Sequence, residues 1–369
     1  MAGKIVIYKE ANKCLVISPE DFMDDLRYIA KGLGKGNPVF TRCLSVLHMT
    51  NKFLIPEFRE YIKSTGIISK LFEFLQDAAE YELLGLFTTS AMFALSRDLQ
   101  EIDGNKNFLN LLVNLTQMNN TNTKSANELS DSQLIILQDN ARKLCQEVLK
   151  TTNCALPITE SFTLQKRWFA LETLLNLPQQ YYSQWFKDVL HDNGVMEQII
   201  DTFYTKCHLD SLECSMFKYL QFLANVSDTE KMQHILLTYN DGKLVKSLMK
   251  VCKVYGTSTT ARHIVDRRSS GSSSVNVLIS ALKVLVNITH NYGNENVKRL
   301  FLTEDRGNFM DICLNILFTS LDHAPKEIKA HLILVDLILL TNLVEENRNN
   351  RKLLFEFNLP SEPNVCFFD

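Results

Sequence analysis

Apolar residues recur along this chain in blocks that would be apolar nearly all round if wound as helices. Each of these blocks contains one asparagine, at a matching place. The blocks are LLVNLT (111–116), TLLNLP (173–178), FLANVS (222–227), ALKVLVNITH (281–290) and LLTNLV (339–344). Strand patterns are weak apart from KIVIY and CLVI near the N-terminus. The pattern therefore predicts an all-α chain whose inner helices are buried on most sides.

A polar corner that contains a glycine follows these helices at similar distances. The recurring corners contain Gly66, Gly194, Gly242 and Gly307. Glycine accepts the positive φ of a sharp turn, and a preceding residue such as Asn193 or Asp241 can cap the next helix or hold the turn. Gly194 and Gly242 are 48 residues apart, close to the roughly 40–47 residues of HEAT and armadillo repeats. We therefore predict a HEAT/armadillo-like helical repeat array, an α-solenoid.

Two polar stretches interrupt the repeats and divide the predicted chain. TQMNNTNTKSANELSDS (116–132) and YGTSTTARHIVDRRSSGSSS (255–274) lack apolar periodicity, which predicts disordered inserted loops. The predicted organisation is an N-terminal extension over 1–18, one repeat domain over 19–358 and a C-terminal tail over 359–369. Two arginines precede Ser269 and Ser270, so the second insert is either a basophilic kinase substrate or an inert linker.

The recurring asparagine has two interpretations. In the first, each amide binds backbone groups left exposed where a buried helix ends, which makes a structural ladder between repeats. In the second, a row of amides on a concave face holds an extended peptide, as in armadillo proteins. Asn114, Asn225 and Asn287 also begin N-x-[ST] patterns, but they lie in apolar helices, so we expect them to be buried and unmodified.

Composition and the lack of known motifs argue against several classes of protein. Lys and Arg number 39 against 42 Asp and Glu, a formal net charge of −3, which argues against a protein whose main task is to coat nucleic acid. The nine cysteines form no C-x-x-C pair, which favours a reducing compartment and thiols in the core. No run of 18 or more apolar residues predicts a membrane span. Without H-E-x-x-H, zinc or G-x-S-x-G patterns, we predict no catalytic residue, metal site or cofactor.

Charged residues gather in the first three predicted helices. The acidic group lies near the start of PEDFMDDLRYIAKGL (19–33), where the helix dipole favours anions. The basic group includes two residues four apart on one predicted exposed face of FREYIKSTG (58–66). These groups are either solvated helix faces or an acidic recognition surface beside a basic docking patch. Their members are Asp21, Asp24 and Asp25, and Arg42, Lys52, Arg59 and Lys63.

The first long charged and apolar segment resembles a known family. Residues 21–78, including NPVFTRCLS, are similar to the start of the conserved C-terminal domain of the Wings apart-like (Wapl) family. Residues 169–203, 239–251, 281–291 and 337–354, the last including EENRNNR, are similar to later blocks of that domain in the same order. The resemblance covers roughly residues 19 to 355.

The resemblance implies a HEAT/armadillo-like array that acts on cohesin without being an enzyme. Family members release cohesin from chromatin together with a second HEAT-repeat regulator, by favouring opening of the gate between the SMC ATPase head and the kleisin. The expected partners are these cohesin components, its HEAT-repeat subunits and the regulator, with no small-molecule substrate, membrane or direct DNA contact. In the family, important contact surface lies in the N-terminal part of the domain. In the block of this sequence that matches that part, the expected contact residues are Asp24, Asp25, Arg42, Lys52, Arg59 and Lys63. The alternative is a generic armadillo-type adaptor for an extended peptide.

The resemblance also implies a chromatin-associated nuclear location, with a cytoplasmic pool as a further possibility, since no strong basic import cluster is visible. Family members usually have a long N-terminal region with short binding motifs, and further helices after the EENRNNR block. The sequence begins almost at the domain and stops at NLPSEPNVCFFD. We therefore expect no tethering through an N-terminal tail and an array without its C-terminal cap.

Overall fold

The structure is a computed structural model of two compact units, Met1–Val195 and Met196–Asp369. It describes residues 6–10, 13–17, 19–96, 106–117, 129–154, 158, 160–208, 215–256, 272–290, 306–319, 326–345, 348–356, 358–359 and 362–366. Most of each predicted insert, 118–128 and 257–271, lies outside the described residues. The described ends of both inserts are largely helical, so the flanking helices extend further than the sequence predicted.

Seventeen α-helices make up most of the described residues. The first unit contains α1 (Pro19–Leu33), α2 (Val39–Phe53), α3 (Pro56–Thr65), α4 (Ile68–Glu73), α5 (Glu82–Leu95), α6 (Lys106–Thr116), α7 (Asp131–Thr151), α8 (Phe162–Leu175) and α9 (Gln184–Asp192). The remaining helices are α10 (Val195–His208), α11 (Ser215–Val226), α12 (Glu230–Thr238), α13 (Lys243–Gly256), α14 (Ser272–Thr289), α15 (Arg306–Thr319), α16 (Lys326–Val344) and α17 (Arg348–Glu356). Short 3-10 helices cover Ala78–Glu80 and Gln179–Tyr181.

Two antiparallel hairpins flank the described helices. β1 (Val6–Glu10) pairs with β2 (Lys13–Ile17), in agreement with the strand pattern of KIVIY and CLVI. β3 (Asn358–Leu359) pairs with β4 (Glu362–Cys366) across the predicted end of the domain, where we predicted no strand. β3 has only two residues, and β4 (EPNVC) does not alternate apolar and polar residues, so no period of two is visible in the sequence. Both are two-stranded, so the prediction of an all-α repeat array is confirmed for the described residues.

Helix α5 shows why inner helices are apolar all round. Every residue from Leu83 to Leu95 is buried, because α2, α7 and α8 all pack against this helix. Its hydroxyl groups are satisfied within the helix: Thr88 and Ser90 donate hydrogen bonds of 2.7 and 2.8 Å to the carbonyls of Leu84 and Leu86. A buried helix can therefore carry hydroxyls without a partner from another element.

Three of the four predicted glycine corners adopt the expected conformation. The φ values of Gly66, Gly194 and Gly242 are +63°, +65° and +71°, which is the left-handed region that glycine reaches without a Cβ clash. Asn193 holds its corner, since Nδ2 donates a 2.8 Å hydrogen bond to the Val189 carbonyl. The prediction that Gly307 forms a corner between helices is wrong, because α15 begins at Arg306 and includes this glycine.

Two of the recurring asparagines of the second unit join the end of one inner helix to the end of the next. Asn287 on α14 donates through Nδ2 to the Ala224 carbonyl at 3.2 Å and to the Ser227 hydroxyl at 2.8 Å. Asn342 on α16 repeats this arrangement with the Val286 carbonyl at 3.2 Å and the Thr289 hydroxyl at 3.1 Å. We call these contacts the asparagine ladder.

The ladder explains the N-x-[ST] patterns. The acceptor hydroxyl, Ser227 or Thr289, lies two residues after the asparagine of the preceding repeat. In the first unit, Asn176 directly after α8 donates in the same way to the Ser96 hydroxyl after α5, at 3.3 Å. The structural interpretation of the recurring asparagine is therefore confirmed at these three positions. The N-x-[ST] patterns at Asn225 and Asn287 thus provide hydroxyls for hydrogen bonds between helix ends. Asn114 is exposed, so the expectation that it is buried is wrong.

Helix α16 leaves an apolar stripe exposed. Leu334, Leu337 and Ile338 are 58%, 47% and 40% exposed, and their spacing places them on one helix face. The opposite face packs on α14 and α15. A stripe of this kind is the surface on which a further helix stacks in repeat arrays.

Asp336 is a buried carboxyl at the contact of α13, α15 and α16. Burial raises its pKa to about 8, against a smaller lowering by the hydrogen bond from the Cys313 thiol. Neither carboxyl oxygen accepts from an N–H or O–H group of the described residues, and the thiol is a weak donor. The neutral acid is therefore the form that the core favours at neutral pH.

Removal of a ladder amide tests its contribution to stability. We expect Asn287→Ala to lower the free energy of unfolding by about 1–3 kcal/mol, because the Ala224 carbonyl and Ser227 hydroxyl lose a donor away from bulk water. The measurement is urea denaturation followed by circular dichroism. Asn107→Ala, at an exposed position of α6, is the control and should change stability by less than about 0.5 kcal/mol. Equal losses in both variants would contradict the ladder.

The pKa of Asp336 predicts a dependence of stability on pH. A carboxyl whose folded pKa is raised from about 3.9 to about 8 destabilises the fold progressively as pH rises between these values. Relative to Asp336→Asn, the wild type should therefore lose stability from pH 5 to pH 8, at a slope approaching 1.4 kcal/mol per pH unit. Denaturation curves at several pH values measure this slope. Parallel pH profiles of the two proteins would contradict a buried neutral carboxyl.

Candidate functional site

Helices α1, α2 and α3 form a compact support for the charged residues that the sequence singled out. Phe22 of α1 and Phe58 of α3 meet edge to face with ring centroids 5.3 Å apart, and Leu26 and Ile29 of α1 are buried. At Gly32, an added Cβ would lie 2.0 Å from the Ser45 hydroxyl oxygen. Glycine at position 32 thus leaves room for the Ser45 hydroxyl and permits the close approach of α1 and α2. This close approach holds the outer face of α1 beside α2.

Asp25, Lys52 and His48 form an ionic cluster between α1 and α2. The Lys52 ammonium lies 2.5 Å from Asp25 Oδ2, and the His48 Nε2 atom lies 3.5 Å from Asp25 Oδ1. The side chains of Asp25 and Lys52 are both 24% exposed. The structure therefore brings together one predicted acidic residue and one predicted basic residue, as partners of each other.

Asp24 lies on the open face of α1. Its Oδ1 atom pairs with Arg27 at 3.0 Å, and both side chains are about three-quarters exposed. Tyr28, one turn further along α1, is 68% exposed and its ring meets the His48 ring edge to face at 5.8 Å. Sequence reasoning missed Arg27 and Tyr28, although both lie three or four residues from Asp24 and so on its face.

Arg42 is not a surface residue, and the expectation that it is exposed is wrong. Its side chain is 3% exposed, and its guanidinium donates hydrogen bonds to the two carboxylate oxygens of Asp77 at 2.6 and 2.9 Å. A third hydrogen bond, of 3.0 Å, reaches the Phe74 carbonyl. Such a planar fork suits arginine alone. Arg42 therefore joins α2 to the turn after α4.

Arg59 and Lys63 do not form an exposed basic face, so that part of the expectation is also wrong. Lys63 has a side chain that is only 10% exposed and that donates to Glu60 at 2.8 Å. Arg59 donates through Nη1 to the Phe53 carbonyl at 2.7 Å, at the end of α2. The charged ends of both side chains thus bind nearby oxygens. The oxygen that Arg59 binds belongs to α2, which the periodicity of α3 alone cannot reveal.

The residues that remain accessible define the N-terminal charged surface: Asp24, Asp25, Arg27, Tyr28 and Lys52. It carries two acids and two bases that pair with one another. Ion pairs at this exposure contribute little to stability, about 0–1 kcal/mol. The charges can therefore exchange partners when another protein approaches, and they favour a complementary mixed-charge surface. That any of these residues contacts a partner stays a prediction.

The asparagine ladder is poorly suited to the alternative function. Both N–H bonds of the Asn287 amide are directed to Ala224 and Ser227, and the amide of Asn342 is occupied in the same way. An amide has two donors, so these side chains have none left for a peptide. The adaptor alternative therefore has no support from these two positions.

The described residues contain no metal-binding cluster, and their buried thiols are unsuited to nucleophilic catalysis. No group of three or more metal-binding side chains is present among them. Burial raises the pKa of the Cys43, Cys145 and Cys207 thiols to about 12, which keeps them protonated and unreactive. No helix in the described part of the chain is long and apolar enough to cross a membrane.

Comparison with known proteins gives the family. The sequence model of the family described as "Wings apart-like protein regulation of heterochromatin" matches residues 19–350. This chain belongs to the Wings apart-like family. The match contains α1 to α16 and hence the N-terminal charged surface, and it confirms the resemblance seen in the sequence. The description of the family is regulatory and names no catalysed reaction.

Three relatives show the extent of the similarity. Protein wings apart-like of Drosophila melanogaster is 29% identical over 93% of this chain and 21% of the fly protein. Wings apart-like protein homolog of Homo sapiens is 26% identical over 94% of this chain and 31% of the human protein. Wings apart-like protein homolog 1 of Caenorhabditis elegans is 31% identical over 26% of this chain and 13% of its own length. The chain thus spans less than a third of each relative.

The buried pair of Arg42 and Asp77 predicts a strong and pH-dependent effect of mutation. Arg42→Met should lower the free energy of unfolding by about 2–3 kcal/mol at pH 7, because the partly buried Asp77 carboxylate loses its partner. Burial alone would raise the Asp77 pKa, but the hydrogen bonds and charge of Arg42 outweigh it and lower the pKa. The contribution is therefore complete above the ordinary carboxyl pKa of about 3.9 and is lost as pH falls through the lower folded value.

Chemical denaturation at pH 7 and at acid pH measures this effect. The difference between Arg42→Met and wild type should shrink in acid, since protonation of Asp77 removes the pair from the wild type too. Arg27→Met is the control, because its pair with Asp24 is exposed and should contribute under about 1 kcal/mol. A difference that stays constant with pH would show that lost packing, not lost charge, is responsible.

Proposed function

We propose that this protein is a non-enzymatic regulator of cohesin that binds the cohesin complex and promotes its release from chromatin. The observation that carries the proposal is the family match over residues 19–350. The α-helical repeats support it, since such arrays present long exterior surfaces to other proteins. Its location would be nuclear, on chromatin.

The proposed mechanism is differential binding to two states of cohesin. A ligand shifts an equilibrium only by the difference in its affinity for the two states. A protein that binds the form with an open gate between SMC head and kleisin more tightly raises the population of that form. A tenfold shift requires a difference of about 1.4 kcal/mol, which is about the scale of one or two charge-assisted hydrogen bonds at an interface.

The N-terminal charged surface is the proposed contact for cohesin or for a cohesin-associated HEAT-repeat regulator. Asp24 is the most accessible acid of this surface. Asp25 and Lys52 form a second ion pair, which is less exposed than the pair of Asp24 and Arg27. Paired charges on a rigid support give specificity, because a partner must match their signs and positions. Arg42 and Arg59 contribute by holding α2 and α3 in place rather than by contact.

A charge reversal on this surface tests the proposal. We expect Asp24→Lys to reduce retention of purified cohesin head–kleisin complex on the immobilised protein by at least about tenfold, because like charges placed together across an interface cost several kcal/mol. The same variant should release less cohesin from chromatin in a release assay. Its cost to folding should be small, since the pair with Arg27 is exposed.

Asp139→Lys is the matched control for this experiment. Asp139 pairs with Lys143 on α7 at 2.6 Å, and both side chains are more than half exposed. The control therefore loses an equivalent helix ion pair and gains the same charge elsewhere in the first unit. Retention by wild type and control but not by Asp24→Lys supports the proposal. Absence of retention by wild type, or equal retention by all three proteins, contradicts it.

A further inference from the structure

A polar cleft in the first unit is separate from the N-terminal charged surface. Its volume is about 560 Å³, within the roughly 300–1,000 Å³ of ligand sites. The 3-10 helix after α4, the end of α6 and the corner after α9 provide its walls. The lining residues are Gln76, Ala79, Glu80, Asn114, Gln117, Asp192 and Asn193.

Hydrogen bonds hold the walls of the cleft in place. Gln117, just after α6, donates through Nε2 to the Asn193 carbonyl at 2.6 Å, which joins the ends of α6 and α9. Gln76 donates to the Phe72 carbonyl at 3.0 Å, and the Asn193 amide donates within its own corner. On the far side of α6, Lys106 stacks over the Trp185 ring at 5.1 Å. The cleft is therefore built on fixed helix ends.

Asn114 differs from the three asparagines of the ladder. It has the same place in LLVNLT as Asn176, Asn287 and Asn342 have in their blocks. Those three amides donate to the end of another inner helix. The Asn114 side chain is instead exposed and lines the polar cleft. An amide that is structural in other repeats is thus accessible in this cleft.

The chemistry of the cleft selects its occupant. Sites for small organic ligands are mostly apolar, whereas Ala79 is the one apolar lining residue here. Nucleic acid requires cations for its phosphates, and the seven lining residues include two acids and no base. One of these acids, Asp192, also lies 2.8 Å from the His191 ring at the edge of the cleft. Amide side chains offer both a donor and an acceptor, the combination that pairs with the N–H and C=O groups of an extended peptide.

We propose that the polar cleft binds an extended polypeptide segment that carries a lysine or arginine side chain. The amides of Asn114 and Gln76 pair with the peptide backbone, and Glu80 and Asp192 select the basic side chain by charge. The proposal does not depend on cohesin, because no cleft residue belongs to the N-terminal charged surface. A protein with both sites contacts a folded partner at one and a linear segment at the other.

The test uses the full chain, immobilised, and a synthetic library of acetylated and amidated heptapeptides randomised at every position. Retained peptides are sequenced by mass spectrometry. We expect lysine and arginine to exceed aspartate and glutamate at one position by at least about tenfold, the effect of about 1.4 kcal/mol. Peptides that emerge from this selection are then resynthesised with a fluorophore, and their affinities are measured by anisotropy.

Variants of the cleft decide the outcome. Asn114→Ala should weaken the selected peptides about three- to tenfold, as expected for one or two hydrogen bonds. Asn114→Lys should abolish their binding by placing a cation beside the proposed basic side chain. The double variant Glu80→Gln, Asp192→Asn should remove the preference for lysine and arginine. Because Asn114 and Glu80 are exposed, these changes should leave the melting temperature nearly unchanged.

Matched controls come from the same unit. Asn107→Ala removes an exposed amide two turns away on α6, and Glu147→Gln removes an exposed charge on α7. Both should bind the selected peptides as the wild type does. The proposal is overturned if the wild type retains no peptide, if retained peptides show no basic preference, or if the controls lose as much affinity as the cleft variants.

Discussion

The structure depends on satisfying the polar ends of helices that are buried on all sides. An inner helix such as α5 or α14 packs against neighbours along its whole length, so the backbone groups at its end have little access to water. The ladder amides of Asn287 and Asn342 supply that hydrogen bond from the next inner helix. At these positions each repeat therefore satisfies a helix end of the one before it.

The same constraint separates structural from accessible polar groups. Arg42 has the charge of a surface residue but serves as a buried fork between α2 and Asp77. Asn114 has the sequence context of a ladder residue but lines an open cleft. The exposed ion pairs of α1 contribute little to the fold. We therefore place the proposed contacts of this family member at charges and amides that the stacking of helices does not use.

The two proposed recognition surfaces differ in character although one set of helices supports both. The N-terminal charged surface is balanced in sign and supported by aromatic packing, as suits a folded partner. The polar cleft is acidic and rich in amides, as suits an extended segment. Both lie in the first unit, whereas the second contains the regular ladder and the buried Asp336. The exposed stripe on α16 adds a third surface, which is apolar.

The sequence by itself determined the class of fold, the glycine corners at Gly66, Gly194 and Gly242, and the recurring place of the asparagines. These features depend on local conformation and on periodicity, which neighbouring residues specify. It also determined the family, since the order of the blocks is a linear property. The tertiary structure alone decided which of the charged residues are exposed. Arg42 and Arg59 bind oxygens of other turns or helices, and their pairing depends on how α2, α3 and α4 pack. Lys63 pairs with Glu60 within α3, but its burial depends on the same packing. The tertiary structure likewise decided that Asn114 faces a cleft while Asn287 does not. The two residues have the same sequence context, and they differ in which helices pack beside them.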